Sequence, residues 1–163
     1  MSSAKNSDKQ PDPIWQQYTK EGNSKMKIGS IEEAKASYDR AIAIAENLWQ
    51  QACEQKCNPE TIHLYVITCN NLADCYEAMK LSQRAESYLI EAYRQTLTTM
   101  NDTNLPLNFR MEAYQGLQMV LRQLIDFYHR TENPEAIASI TLESQQQAQK
   151  LLKEPLQEFP MGV

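Results

Sequence analysis

Residues 69–92 read CNNLADCYEAMKLSQRAESYLIEA, and this stretch decides the fold. Its apolar and small residues recur in steps of three and four on both sides of a short turn, which predicts two antiparallel amphipathic helices. Ala85, inside this stretch, has counterparts 51 positions before and after it, at Ala34 and Ala136. Repetition at a period of tens of residues predicts stacked, similar helix pairs, which usually serve as binding scaffolds.

Each repeating unit extends over two helices. A small or apolar residue lies twelve positions before each of these alanines, and a large residue lies four positions after it. The three sets are Gly22, Ala34 and Tyr38; Ala73, Ala85 and Leu89; and Leu124, Ala136 and Ile140. Small residues let two helices approach closely, and large residues fill the space that remains. We therefore expect each unit to form one packed hairpin.

Capping and breaking signals divide the chain into six helices with no credible strand. Asp12-Pro13 marks the start of the first helix. The second begins with a capping box formed by Ser30 and Glu33. Asn58-Pro59 separates the second helix from the third, and Asn133-Pro134 opens the sixth. The predicted helices cover 13–28, 31–57, 60–79, 83–100, 108–130 and 134–153.

The composition is that of an ordinary globular protein. The 163 residues are 42% hydrophobic and 23% charged, enough for one domain with a real core. A net charge of −5 and a pI near 5.1 argue against a nucleic-acid partner, which usually requires a basic stripe. The N-terminus has no signal-peptide pattern, and no run approaches the roughly 18 apolar residues of a membrane span. We expect a cytoplasmic protein that does not bind membranes.

Three segments follow from these patterns. Residues 1–11 are polar and lack periodicity, so we expect them to be disordered. Residues 12–153 form the helical domain. Residues 154–163 are a tail in which two prolines stop regular structure. Its apolar side chains could pack on the last helix or dock on a neighbouring molecule, which would give a homo-oligomer.

The four cysteines are Cys53, Cys57, Cys69 and Cys75. Cys53 and Cys57 share a helix face, and His63 is nearby, so a metal site can be imagined. Structural zinc sites normally contain a CxxC pair, however, and this chain has none. We interpret the cysteines as small residues between packed helices, kept reduced in the cytosol. No metal is expected.

Three acidic residues are the other candidates for chemistry. Asp74 and Glu77 lie one turn apart, and Asp126 lies on a later helix. Paired carboxylates can act in acid–base catalysis, but no nucleophile motif or phosphate-binding loop accompanies them. We interpret them as a solvated acidic face. The sequence therefore predicts a non-enzymatic protein without a cofactor.

The repeated pattern resembles the tetratricopeptide repeat (TPR) family, whose units pair an A helix carrying W-x₂-LG-x₂-Y with a B helix carrying A-x₃-F-x₂-A. The best match is Cys69-x₂-Leu72-Ala73-x₂-Tyr76 followed by Ala85-x₃-Leu89-x₂-Ala92. The period of 51 exceeds the usual value of about 34, which implies longer helices. The resemblance implies an all-α, TPR-like right-handed superhelix of three antiparallel helix hairpins.

In that family the A helices line a concave groove that binds peptides. The resemblance, carried over by register, places the groove at Thr19, Asn23, Asn70, Asn71, Asp74, Gln118, Arg122 and Tyr128. Amide side chains pair with peptide backbone groups, and arginine donates two hydrogen bonds to a carboxylate. The implied function is a protein–protein interaction module, such as an adaptor or a co-chaperone-like protein, with a protein or peptide partner.

Some members of the family clamp the C-terminal carboxylate of heat-shock chaperones with two lysines, two asparagines and one arginine. Asn23, Asn71 and Arg122 match the asparagine and arginine positions. The two lysine positions carry Thr19 and Gln118, which removes most of the charge complementarity and argues against a chaperone tail as the ligand. A peptide- or ligand-sensing regulatory protein and a dedicated secretion chaperone remain open as alternatives.

Overall fold

The computed structural model describes residues 10–153, and every regular element in that range is an α-helix. The helices are α1 (Pro13–Lys27), α2 (Ile31–Gln55), α3 (Thr61–Ala78), α4 (Ser82–Asn101), α5 (Leu107–Arg130) and α6 (Pro134–Lys153). The predicted all-α fold with six helices is confirmed. Residues 1–9 of the expected disordered segment and the whole tail, 154–163, lie outside the described residues. Within residues 10–153, no helix is both long enough and apolar enough to cross a membrane.

Two predicted caps are confirmed. The Asp12 carboxylate accepts hydrogen bonds from the backbone N–H groups of Ile14 and Trp15, both at 3.0 Å, at the start of α1. The Asn133 side chain accepts from the N–H of Ala136 at 3.2 Å, at the start of α6. These bonds satisfy N–H groups that have no partner within the helix.

The predicted capping box of α2 is wrong. Ser30 does occupy the N-cap position, but its side chain makes no capping hydrogen bond. The Glu33 carboxylate instead forms an ion pair with the Lys25 ammonium on α1, at 2.6 Å. Glu33 is therefore engaged with the neighbouring helix instead of the backbone of its own first turn. α2 also ends earlier than predicted, at Gln55, because Lys56 adopts a left-handed conformation (φ 51°).

Successive helices are antiparallel. At the α1–α2 turn, the Tyr38 hydroxyl donates to the Asn23 side chain at 2.6 Å. The ring of Tyr76, near the end of α3, stacks on Tyr88 near the start of α4, with centroids 5.5 Å apart. The Arg110 side chain near the start of α5 donates to the carbonyl of Met100 at the end of α4, at 2.8 Å.

Alternate helices are parallel, and the side-chain bonds between them span about one sequence period. The Trp15 indole N–H on α1 donates to the Thr68 hydroxyl on α3, 53 residues later. Glu112 on α5 pairs with His63 on α3 across 49 residues, and Tyr93 on α4 donates to Glu143 on α6 across 50 residues. Each hairpin thus contacts the next through nearly equivalent positions, in two layers: α1, α3 and α5 in one, α2, α4 and α6 in the other.

The repeated small residues lie where the helices meet. Ala34 and Ala85 are completely buried, whereas Ala136 is only half-buried. α6 is the last helix described, and its first turns are covered on one side only. The third unit therefore matches the other two less closely in structure, as it does in sequence.

The Tyr38 side chain packs directly against Gly22. A Cβ atom added at Gly22 would collide with the Tyr38 ring, which is buried and hydrogen-bonded to Asn23. One period later, the equivalent residues are Ala73 and Leu89. A larger residue on the A helix thus accompanies a smaller one on the B helix, which keeps the volume at the contact similar.

We expect Gly22→Ala to destabilise the protein by about 1–3 kcal/mol, because the Tyr38 ring has no room to move. In a Tyr38→Leu background, which copies the second unit, the added methyl group should cost close to nothing, because alanine also favours the helix. Urea unfolding of the four proteins of this double-mutant cycle measures the coupling. An equal cost of Gly22→Ala in both backgrounds would contradict the proposed contact.

Candidate functional site

α3 is the central helix, and it exposes only one stripe. Between His63 and Glu77, the residues that are not buried form this stripe, and all the others are buried. The residues of this α3 stripe are His63, Ile67, Asn70, Asn71, Asp74 and Glu77. Their spacing of three and four places them on one face of the helix. α1 and α5 lie on either side of α3, so the stripe runs along the middle of the odd-numbered layer.

Two contacts with α5 fix the ends of the α3 stripe. At the start of α3, His63 Nε2 lies 2.5 Å from Glu112 Oε2. At its end, the Arg130 guanidinium donates two hydrogen bonds to the Glu77 carboxylate, at 2.7 and 3.1 Å. Two-pronged contacts of this kind restrict orientation more than single ones. The side chains between these ends remain available to a ligand.

Asp74 combines solvent exposure with a partly desolvated carboxyl. Its side chain is exposed to solvent, yet removal of water by the surrounding protein raises the pKa of its carboxyl, and the nearby Glu77 raises it further, against the opposing effect of Arg130. Solvent access and desolvation occur together where protein surrounds a side chain without covering it. This is the expected environment of a residue that lines a groove.

Three shielded side-chain atoms of the odd-numbered layer lack hydrogen-bond partners in the described part of the chain: His63 Nδ1, Asn70 Oδ1 and Thr19 Oγ1. The side-chain oxygens of Asn70 and Thr19 are shielded from solvent and make no hydrogen bond there. An unsatisfied buried acceptor costs about 1–3 kcal/mol, so most proteins avoid it. A ligand that donates an N–H group would satisfy the oxygen of Asn70, which is half-buried in the stripe.

The eight predicted groove residues are placed differently from one another. Asn23, Asp74, Gln118 and Arg122 are exposed, and Asn70 and Asn71 are half-buried. Two of these exposed side chains already have partners: Asn23 accepts from Tyr38, and Gln118 donates to the Tyr114 hydroxyl at 2.9 Å.

Thr19 and Tyr128 do not lie on the open surface that the register predicts. Thr19 is only 9% exposed and Tyr128 only 3%. The Tyr128 hydroxyl donates to Glu86 on α4, at 3.4 Å, and burial raises its pKa to about 12. Tyr128 therefore packs between the layers, because α4 crosses α5 at that point.

A cavity of about 620 Å³ at the starts of α1 and α3 was not predicted. Leu48, Leu64 and Ile67 contribute apolar walls, and Pro11 and His63 also line it. Ile67 and His63 belong to the α3 stripe, so the cavity adjoins one end of it. The helical register of α3 could suggest that Ile67 lines a cavity. Pro11 and Leu48 come from distant segments of the chain, and only the fold brings them together with it.

Comparison with known proteins places the chain in a family. A family model described as a protein of unknown function, DUF2753, matches residues 13–158. The chain belongs to the DUF2753 family. No curated protein and no solved structure matches it. The DUF2753 match begins at the first residue of α1 and continues past the end of α6, so one family unit includes all six helices. The TPR resemblance stays a prediction.

The chemistry available to the stripe is hydrogen bonding. Within residues 10–153, no group of three or more His, Cys, Asp or Glu side chains could hold a metal ion. All four cysteines are free thiols, and Cys69 and Cys75 are buried. Amide, carboxylate and guanidinium groups side by side are suited to holding peptide groups.

We expect Asp74→Asn to stabilise the protein at neutral pH. The folded-state pKa of Asp74 lies above its ordinary value of 3.8, so the folded protein loses stability wherever the carboxyl is ionised. That loss is complete above the folded-state pKa and disappears as the pH falls below the unfolded value. Urea unfolding of variant and parent from pH 7 down to about 3.5 should show a gain that shrinks to zero.

The matched control is Asp126→Asn, an exposed carboxylate on α5. It should show no comparable gain at neutral pH. A destabilised Asp74→Asn protein at pH 7 would show that the carboxylate is favourably bound, and would contradict its assignment to a desolvating groove.

Proposed function

We propose that this DUF2753 protein is a non-enzymatic protein–protein interaction module that binds an extended peptide along α1, α3 and α5. In this proposal the three hairpins form a TPR-like right-handed superhelix, and the α3 stripe lies on its concave side. The observation that carries the proposal is the Asn70 side-chain oxygen, which is shielded from water and has no partner among the described residues. A peptide N–H would satisfy it.

The residues around Asn70 suit the backbone of an extended chain. Asn71 is half-buried beside it, and Asp74 and Arg122 are exposed nearby on α3 and α5. Amides both donate and accept, so they pair with a peptide backbone of any sequence. Asp74 would accept from a peptide N–H, and Arg122 would donate to a carbonyl or carboxylate.

The cavity at the starts of α1 and α3 would provide specificity. Its apolar walls at Leu48, Leu64 and Ile67 fit an aliphatic or aromatic side chain. Because Ile67 is one turn before Asn70 and Asn71, a peptide held by the amides would have a neighbouring side chain over the cavity. The preferred ligand therefore has an apolar residue at one end of its bound segment.

The test is selection from a phage-displayed library of random peptides of about 12 residues, followed by titration of a selected synthetic peptide. We expect saturable binding. Asn71→Ala with Arg122→Ala should weaken it at least about tenfold, because both variants remove hydrogen bonds to the peptide. Circular dichroism should remain unchanged.

The matched control is Gln145→Ala with Arg94→Ala, which truncates an exposed amide and an exposed arginine on even-numbered helices. It should leave the affinity within about twofold. An unenriched library, or an equal loss in the control, would contradict the proposal.

A further inference from the structure

The even-numbered layer contains a second, unrelated surface. Two adjoining cavities of about 450 and 240 Å³ lie between α2 and α4. Both are lined by Glu46 on α2, Tyr65 on α3 and Glu91 on α4. We call this continuous feature the α2–α4 slot. Tyr65 belongs to the face of α3 opposite the α3 stripe, so the slot and the stripe are on different sides of the molecule.

Helical spacing aligns the walls of the slot. On α2, the wall consists of Ile42, Glu46, Trp49, Gln50, Cys53 and Glu54. On α4, it consists of Ser87, Tyr88, Glu91 and Gln95. Steps of three and four place each set on one helix face. The slot is therefore a regular product of two parallel helices that lean on α3, and not an irregular surface pit.

The slot is acidic. Glu46, Glu54 and Glu91 line it, and no lysine or arginine is among its lining residues. The field of Glu46 and Glu91 reaches the base of the slot. Burial is the main cause that raises the pKa of the Cys69 thiol to about 12, and these two carboxylates raise it further, although the hydrogen bond from Tyr65 opposes the shift.

The slot also presents aromatic groups and a buried hydroxyl. Tyr65 is only 6% exposed, and burial is the main cause that raises the pKa of its hydroxyl, with a further contribution from Cys69 one turn later. The Tyr65 oxygen keeps its own lone pairs as acceptors. Trp49, which is 6% exposed, and the half-buried Tyr88 also line the slot. Aromatic faces attract cations, and carboxylates and hydroxyl oxygens accept from them.

We propose that the α2–α4 slot binds a lysine or arginine side chain from a basic segment of a partner protein. Ammonium and guanidinium groups donate hydrogen bonds, which the Glu46, Glu54 and Glu91 carboxylates of the slot can accept. The long apolar stems of these side chains fit against Trp49 and Ile42. The net charge of −5 would attract the same partner from a distance.

The test uses a fluorescein-labelled peptide of alternating glycine and lysine, titrated at about 50 mM salt, where charge interactions are weakly screened. We expect saturable binding that Glu46→Gln with Glu91→Gln weakens at least about tenfold. The matched control, Glu32→Gln with Glu135→Gln, removes the same charge from exposed sites elsewhere. It should leave the affinity within about twofold.

A second readout needs no mutation in the slot. Cys53 lines it, whereas Cys57 does not. Saturating peptide should slow the reaction of Cys53 with iodoacetamide and leave that of Cys57 unchanged. Asn71→Ala with Arg122→Ala, which tests the α3 stripe, should not affect either readout, so the two proposals can fail independently.

Four results would overturn the proposal. Equal loss in the two glutamine pairs would mean that only net charge attracts the peptide. Absence of saturable binding, or unchanged Cys53 reactivity at saturation, would mean that the peptide does not bind in the slot. Free spermidine that protects Cys53 at lower concentration than the peptide would identify a small polyamine as the occupant instead.

Discussion

Side-chain contacts between alternate helices, one sequence period apart, are the constraint on which the rest of the structure depends. Each odd-numbered helix must lie parallel to the next odd-numbered helix, with a fixed offset along the helix axis. Only then do the α3 stripe and its neighbours form one continuous surface. The Trp15–Thr68 contact fixes this axial offset between α1 and α3, and the His63–Glu112 contact fixes it between α3 and α5. The buried Trp15–Thr68 bond matters most, because exposed ion pairs such as Glu77–Arg130 contribute only about 0–1 kcal/mol.

The two-layer arrangement gives the molecule two chemically different surfaces. α3 has layer neighbours on both sides and packs against α2 and α4. It therefore exposes the α3 stripe on one face, while the buried Tyr65 on its other face lines the slot. The stripe offers both donors and acceptors, as a peptide backbone requires. The slot carries three carboxylates and no lysine or arginine among its lining residues, which favours a cation. A scaffold with both surfaces would contact two segments of a partner, or two partners, at once.

The sequence predicts the helices well and the surfaces less well. Helix ends depend on local signals, and the caps at Asp12 and Asn133 are where those signals place them. The environment of a side chain depends on which helix crosses it. Thr19 and Tyr128 have the helical register expected of groove residues, but neighbouring helices bury them. Glu33 forms an ion pair with Lys25 and not the predicted capping box. The slot and the cavity combine residues from several helices, so no single stretch of sequence contains their signal.

The most direct test of the central claim compares Thr68→Val with Thr96→Val. Both threonines are fully buried. Among residues 10–153, the Thr96 hydroxyl bonds only to carbonyls of its own helix, whereas the Thr68 hydroxyl also accepts the Trp15 indole N–H at 2.9 Å. Thr68→Val should cost about 1–3 kcal/mol more in urea unfolding, because it leaves a buried donor without a partner. It should also speed hydrogen exchange of the indole N–H. Equal stabilities and unchanged exchange would contradict the proposed registration of α1 on α3.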